Sequence, residues 1–205
     1  MGINRLEAFS DGVIAVAITL LVLDLRVPQI DPRHPHSLVW LLGQHWPSYA
    51  AYITSFFTIG IIWINHHAMI SRLREADHSI LILNTLLLMS IGVLPFATAL
   101  MATYLRESHG ESVAAAIYSG AFLVMSLFFG LLNRHILLNR SHLLSWELPL
   151  RERHRIYSRA AIGLIPYLLA TILAFVSPYI TLAICAAVAA YYALPIASGP
   201  NRQAS

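Results

Sequence analysis

Two carboxylates, Asp11 and Asp24, enclose a short apolar run near the start of the chain. Only the twelve uncharged residues 12–23 separate them, and as a helix these residues would cover roughly 18 Å. Because the hydrocarbon core of a bilayer is about 30 Å thick, a helix with these ends is costly to surround with acyl chains. Charged groups at membrane depth usually face a bundle interior or an aqueous cavity. The pattern therefore predicts that the first helix lines a pathway.

The histidines could act as metal ligands or proton carriers. His66 and His67 are neighbours, so on a helix they point about 100° apart and cannot chelate one metal together. His67 shares a helix face with Trp63 and is placed to hydrogen-bond toward Asp11, which favours a satisfied buried histidine over a ligand. Histidines in the external loop, at positions 34 and 36, are expected to be solvated.

Other catalytic signatures are missing from the sequence. It contains no serine–base pair, no zinc-binding HExxH and no phosphate loop, and its single Cys185 cannot form a disulfide within one chain. We therefore predict a protein that is not an enzyme, with no metal site and no cofactor.

The composition is that of an integral membrane protein. Hydrophobic residues make up 58% of the chain and charged residues 11%, whereas soluble domains carry about 25% charged residues. All thirteen basic residues are arginines, and the net charge is +3. We assign this charge to cytoplasmic loops, and we do not expect a nucleic-acid partner.

Gaps between charged residues predict one all-α domain, residues 1–205, with six transmembrane helices. Pro95 is expected to kink the third helix, Pro166 and Pro195 to bend the last two, and Ser177-Pro178 to separate them. The predicted spans are approximately residues 9–26, 46–70, 78–104, 112–133, 159–177 and 179–197.

The distribution of arginines predicts the orientation in the membrane. Ten arginines fall on the side that holds both termini, and three fall on the opposite side. The positive-inside rule then places both termini in the cytoplasm. The connection 134–158 mixes arginine with leucine and tryptophan, as in segments that lie at the cytoplasmic interface.

One face of the first helix is aliphatic. Val16, Thr19, Leu20 and Leu23 share a stripe with the spacing i, i+3, i+4, i+7, while Asp11 points to the opposite side. On periodicity alone, such a stripe in a membrane protein more often packs against another helix or faces lipid. A pore constriction is the alternative, since apolar rings gate by dewetting. Thr19 is expected to bond the carbonyl one turn earlier.

The polar residues around this helix have structural and functional interpretations. Arg5 is a candidate cytoplasmic anchor, and Ser10 and Asp11 suit a helix N-terminus. Asp24 either forms a ring of carboxylates at the external mouth of an oligomer, or it pairs with Arg26 or caps local backbone, and the sequence favours neither interpretation.

The residue order adds a family resemblance. Arg5, Phe9, Ser10 and Asp11 form the motif RxxxFSD, and with the apolar run ending at Asp24 it resembles the transmembrane protein 175 family of potassium channels, in its single-repeat prokaryotic branch. The likeness extends more loosely to residues 63–67, Asn84 and residues 94–96, and to the six-span layout.

This resemblance implies a homotetramer in which the first helix of each subunit lines a central pore. It implies preference for K⁺ over Na⁺ without a TVGYG filter. The constriction would map onto Val16, Leu20 and Leu23 with Thr19 beside them, and family members more often carry Ile or Leu at the first position. The four motif residues, Arg5, Phe9, Ser10 and Asp11, would have a structural role with His67: they would pack the first helix onto its neighbours.

We therefore predict a passive potassium channel in the cytoplasmic membrane, with its own copies, the bilayer and monovalent cations as partners. The alternative is a proton-coupled secondary transporter that uses Asp11 and His67, although the halves of the chain show no inverted repeat. A membrane scaffold without transport activity is a third possibility.

Overall fold

The computed structural model describes residues 2–25, 27–29, 37–107, 109–146 and 148–194, without the side chains of residues 159–162. Within these ranges the chain is helical, and the β pairing is limited to one isolated bridge. The predicted all-α class is confirmed. Several residues used in the sequence predictions lie outside the described ranges: Arg26, His34, His36 and Pro195, and the counted arginines Arg33 and Arg202.

The described residues form nine α-helices. The first helix, α1, continues without a break into a 3₁₀ turn, and α6 continues into a π-helical turn. Their bounds are α1 Ile3–Leu20 with the 3₁₀ turn Leu21–Asp24, α2 Leu38–Gln44, α3 Trp46–Ile70, α4 His78–Gly92, α5 Leu94–Tyr104, α6 Glu111–Arg134 with the π turn His135–Asn139, a 3₁₀ turn Ser141–Leu143, α7 Leu150–Ile162, α8 Leu164–Leu173 and α9 Pro178–Ala193.

Four helical segments are long and apolar enough to cross a membrane: Ile3–Asp24, Trp46–Ile70, His78–Tyr104 and Glu111–Asn139. The chain is therefore a multi-pass membrane protein. The regions predicted as the fifth and sixth spans contain the shorter apolar helices α8 and α9. The fifth region also includes the end of α7, which meets α8 at a turn on Gly163.

Two of the helix breaks precede prolines. The segment 78–104 is interrupted at Val93, two residues before Pro95, and α7 gives way to α8 at Gly163, three residues before Pro166. Proline has no N–H to donate to the carbonyl four residues earlier, and its ring clashes with that carbonyl. Each proline therefore lies in the first turn of a new helix, where the missing donor costs little.

Helix α6 forms the centre of the subunit. It packs against α4, α5, α8 and α9, and its Tyr118, Phe122 and Met125 are fully buried. The rings of Tyr118 and Phe122 meet edge to face with centroids 4.8 Å apart, and Phe122 also contacts Tyr167 of α8. Since lipid tails are as apolar as these side chains, close packing rather than exclusion of water holds such helices together.

A small hydroxyl cluster ties three helices together inside this core. Ser55 of α3 lies 2.8 Å from the hydroxyl of Thr98 in α5 and 3.2 Å from the hydroxyl of Tyr118 in α6. All three side chains are buried. Hydrogen bonds of this kind contribute about 0.6 kcal/mol each between membrane helices, so the cluster fixes the relative register of the helices more than it adds stability.

The two connections on the predicted cytoplasmic side are paired through their backbones. Leu73, between α3 and α4, forms an antiparallel bridge with Leu144, between α6 and α7. The N–H groups of Arg74 and Ser145 each donate to a carbonyl of the opposite segment over 2.8 Å. Both leucines are buried under the bridge, so the two connections form one packed layer.

Asp77 adds an ion pair to this layer. Its carboxylate caps α4 by accepting from the N–H of Ile80 at 2.8 Å, and it accepts from Nε of Arg140 at 2.7 Å. The ring of His135 lies 3.9 Å away. Burial acts to raise the pKa of Asp77, but these hydrogen bonds and the nearby positive charges outweigh it and hold the pKa below its usual value.

Candidate pore-lining face and the cluster that holds it

Helix α1 packs mainly against α3, α4 and α5, and its buried side chains join the same hydrophobic core as those of α6. One stripe of α1 is buried, and its members recur every three or four residues, as the helical repeat requires. The buried side chains are Leu6, Ser10, Ile14, Ala17 and Leu21. The opposite face of α1 is therefore available to another partner.

That opposite face carries the predicted aliphatic stripe. The exposed fractions are 59% for Val16, 43% for Leu20 and 71% for Leu23. Thr19 is exposed beside them, and its hydroxyl lies 3.0 Å from the carbonyl of Ala15 and 2.9 Å from that of Val16. Its proton is thus used within the helix, as the sequence predicts, and its oxygen keeps acceptor capacity on the exposed side.

Behind this face, Ser10 begins a buried chain of hydrogen bonds. Its hydroxyl donates to the carbonyl of Leu6 at 2.8 Å, and it accepts from Nδ2 of Asn84 at 3.0 Å. The amide oxygen of Asn84 lies 2.7 Å from Nε2 of His66. All three side chains are buried, so the chain joins α1, α4 and α3 where no water competes.

The directions of these bonds fix the form of His66. Because Ser10 donates to the backbone, it can only accept from Asn84, and the amide must then present its oxygen to the ring. Nε2 of His66 therefore carries the proton. Nδ1 of the same ring is buried and has no hydrogen-bond partner among the described residues.

Asp11 is bound within its own subunit. Nε1 of Trp63 in α3 donates to Oδ1 of Asp11 at 2.8 Å. The ring of His67 lies over that indole with centroids 6.4 Å apart, and its Nδ1 is 2.6 Å from Oε1 of Glu7. The first turns of α1 are thus attached to the end of α3 by two polar contacts.

The prediction of a buried His67 is wrong in one respect. Its side chain is 56% exposed, whereas the buried histidine of the cluster is His66. The two rings point about 100° apart on α3, and the side of α3 that meets α4 is the one that bears His66. The contact between His66 and Asn84 joins residues eighteen positions apart, so no local sequence pattern predicts it.

Arg5 and Phe9 differ from the other motif residues. Both are exposed on the subunit surface, and the phenyl ring of Phe9 is more than half accessible. Among the described residues these two side chains therefore contribute less to the packing of α1 than Ser10 and Asp11 do, and they remain accessible to a further partner.

Asp24 ends the 3₁₀ turn and borders a pocket of about 490 Å³. The pocket is also lined by Gln44, His45, Arg106 and Glu107. Nη1 of Arg106 donates to the side-chain oxygen of Gln44 at 2.7 Å, which joins the end of α5 to the end of α2. The alternative partner of Asp24, Arg26, is outside the described residues, and so is the external histidine loop.

Within the described ranges, no three histidine, cysteine or acidic side chains are grouped closely enough to hold a metal ion. Helix α1 instead has an apolar exposed face with the hydroxyl oxygen of Thr19. The carboxylate of Asp24 lies at one end of this face, and the polar contact of Asp11 with α3 lies at the other end. Such a face can contact water or ions only where the helix is shielded from lipid.

Comparison with known proteins gives a consistent result. Residues 5–95 match the family model described as endosomal/lysosomal potassium channel TMEM175. A protein named as a potassium channel from Streptomyces collinus is 43% identical over 98% of this chain and 97% of its own length. A second protein so named, from Chamaesiphon minutus, is 40% identical over 93% of both chains.

A solved structure is also similar. The crystal structure of a lysosomal potassium-selective channel TMEM175 homolog from Chamaesiphon minutus matches with a TM-score of 0.82 and 38% identity. The match covers 97% of this chain and 98% of the solved chain. The similarity therefore includes the whole helical arrangement, and not only the motif in α1.

Proposed function

The chain belongs to the TMEM175 family of ion channels, and on this premise we propose that it is a potassium channel that conducts passively through the cytoplasmic membrane. Two relatives similar over nearly their whole length are named potassium channels, and we assign K⁺ as the permeant ion in preference to Na⁺. The subunit has six membrane spans, in which α8 and α9 form the last two, with both termini in the cytoplasm.

The observation that carries this proposal is the division of α1 into two faces. Val16, Leu20 and Leu23 are exposed on one side, while Ser10 and Leu21 are buried on the other. Four copies around one axis, each presenting the exposed face inward, shield this face and the two carboxylates at its ends from the lipid. This arrangement resolves the mismatch between the bilayer and the apolar run of residues 12–23.

In this tetramer the three aliphatic side chains form successive apolar rings. A narrow apolar ring sheds water and blocks ions until it widens. The Thr19 oxygen lies on the same face, with its proton engaged by the helix backbone, so four such oxygens can replace water around a dehydrated cation. The rings thus gate the pathway, and the hydroxyl layer supports passage of K⁺.

The ends of α1 have separate roles. Asp24 contributes four carboxylates that concentrate cations at the external mouth. At the cytoplasmic end Ser10, Asp11 and His67 hold α1 to its own subunit, and the exposed Arg5 and Phe9 contact the adjacent one. The residues at the cytoplasmic end thus have structural roles: by holding α1 in place, they keep the diameter of the apolar rings constant.

Potassium flux from proteoliposomes tests the proposal. Asparagine at Val16, Leu20 or Leu23 should hydrate the rings and raise flux, roughly tenfold for each 1.4 kcal/mol removed from the barrier, or reduce the preference for K⁺ over Na⁺. Leu169→Asn in α8 is a matched control, because Leu169 is also half-exposed (49%). Unchanged flux and selectivity in all three variants, or an equal effect of the control, contradicts the assignment.

The same assay separates a channel from a proton-coupled transporter. A passive channel gives flux that follows the K⁺ gradient with or without a pH gradient. A transporter that used Asp11 and His67 would need the pH gradient and would saturate with substrate. In the structure these two side chains have different partners, Trp63 and Glu7, which favours the structural role.

A further inference from the structure

The positive charge of the chain is concentrated in one connection. Residues 134–158 contain five arginines and two glutamates, a net charge of +3, which is the net charge of the entire chain. The remaining residues contain eight arginines and eight acidic residues, and their charges cancel. The connection that follows α6 is therefore the single basic surface segment of the sequence.

Helix α7 presents two of these arginines along one face. Arg151, His154, Arg155 and Ser158 follow the spacing i, i+3, i+4, i+7 and are all exposed, so they form one continuous polar stripe. The ion pair of Arg155 with Glu152 is 3.5 Å long and exposed. Such pairs are weak, so the guanidinium can exchange this contact for a stronger acceptor.

Apolar side chains adjoin the stripe at its start. Trp146, before the helix, and Leu150, at its first position, are both more than half exposed. Tryptophan is enriched at membrane interfaces because its ring is apolar and its N–H is polar. A basic helix face beside exposed tryptophan and leucine has the composition of helices that lie on a lipid surface.

The position of α7 in the fold agrees with such a location. The helix contacts α6, whose end at Arg134 precedes it, and α8, which starts at Leu164. Both are spans in the topology proposed above, and their adjoining ends are cytoplasmic. Because short connections hold α7 to these ends, the helix stays close to the headgroups of the cytoplasmic leaflet.

We infer that the α7 face of Leu150, Arg151, His154 and Arg155, together with the preceding Trp146, binds the headgroups of anionic phospholipids. The inference rests on the proposed orientation of the channel. Guanidinium groups bind phosphate through two parallel N–H donors, and the negative surface of this leaflet attracts basic segments next to a membrane span. The tryptophan and leucine enter the apolar layer below the phosphates.

Lipid binding to the purified protein in detergent tests this inference without any ion flux. Native mass spectrometry would count phosphatidylglycerol and phosphatidylcholine molecules retained at equal concentration. The wild type should retain phosphatidylglycerol preferentially, and Arg151→Gln/Arg155→Gln should weaken this retention roughly tenfold. Equal retention of the two lipids by the wild type would overturn the inference.

Three further arms locate the site and identify the ligand. Arg74→Gln/Arg134→Gln removes the same charge from exposed arginines of the same side and should retain the lipid; an equal loss would overturn the assignment to α7. Arg151→Lys/Arg155→Lys preserves the charge and should bind better than the glutamine pair. Inorganic phosphate at the lipid concentration should not displace phosphatidylglycerol, and displacement would mean that the site binds any phosphate.

A failure of this inference is distinguishable from a failure of the channel proposal. If the protein carries no K⁺ current but retains phosphatidylglycerol through α7, the lipid site stands and the conduction proposal fails. If conduction is normal and the α7 variants bind phosphatidylglycerol like the wild type, the lipid site fails alone. A melting temperature for each variant shows that it is folded before lipid is added.

Discussion

The indole of Trp63 holds the carboxylate of Asp11 through a hydrogen bond of 2.8 Å, and this contact orients the whole exposed face of α1. Asp11 and the stripe of Val16, Leu20 and Leu23 lie on different sides of the helix. Fixing Asp11 against α3 therefore turns the aliphatic stripe outward from the subunit.

Loss of the Trp63 donor is expected to loosen α1. Trp63→Phe keeps the ring but leaves Asp11 without this N–H, and a hydrogen bond to a charged group is worth about 1.5–3 kcal/mol. The melting temperature in detergent should fall, and K⁺/Na⁺ selectivity should fall with it. Trp46→Phe is the control, because Trp46 stacks on Tyr179 and phenylalanine preserves that stack. Equal effects of both changes would contradict a specific role for the bond.

The buried chain from Ser10 to His66 should behave as one unit. Asn84→Leu leaves the Nε2 proton of His66 and the Ser10 oxygen unpaired in the core, at a cost of about 1–3 kcal/mol for each group. Ser10→Ala costs less, since it removes only one contact of the amide. In a double-mutant cycle, the double variant should lose less unfolding free energy than the sum of the losses of the two single variants. Strict additivity of the unfolding free energies would show that the contacts are independent.

The ion pair between Asp77 and Arg140 predicts an acid sensitivity. The folded protein lowers the pKa of Asp77, so the stabilisation is complete above the ordinary pKa of about 4 and is lost as the pH falls through the lower folded value. Asp77→Asn still caps α4 but does not titrate. Between pH 5 and pH 2, roughly, the wild type should lose more stability than this variant.

Thermal unfolding measured across that range checks the prediction. Glu75→Gln is the control, since Glu75 is exposed and its contact with Arg74 is 3.7 Å long. This control should lose stability with acid as the wild type does. A parallel decline of the wild type and Asp77→Asn would show that other groups cause the acid sensitivity.

A ring formed by Asp24 predicts a salt-dependent effect. Asp24→Asn should reduce K⁺ conductance severalfold at about 10 mM salt, where the Debye length is roughly 30 Å, and the difference should vanish near 1 M, where it is roughly 3 Å. Glu107→Gln removes a carboxylate from the same pocket but not from α1, and it should change conductance less. A reduction that persists at high salt would favour a local structural role for Asp24.

Local periodicity was sufficient to predict the two faces of α1. Turning 100° per residue places Asp11 away from Val16, Leu20 and Leu23, and in the structure Asp11 is bound inside the subunit while those three are exposed. The return of the Thr19 hydroxyl to its own helix follows from the same local geometry. Features of this kind depend only on residues within two turns of the same helix.

Features that depend on distant partners were not predicted. The sequence does not indicate which of two adjacent histidines turns toward Asn84, because the answer depends on how α3 rotates against α4. The bridge between Leu73 and Leu144 joins residues far apart in the chain, and neither segment has a strand pattern. The choice between a ring and a pair for Asp24 depends on other subunits and stays a prediction.

The bridge between Leu73 and Leu144 has a consequence for the order of biosynthesis. While the ribosome extends the chain, α1, α3 and α4 can meet as soon as they have been inserted, since their contacts require no later residue. The two connections can join only after residues 143–145 have emerged. A nascent chain shorter than this should have its first helix docked but the connection around Leu73 accessible to protease, and full protection should appear only after residues 143–145 have emerged.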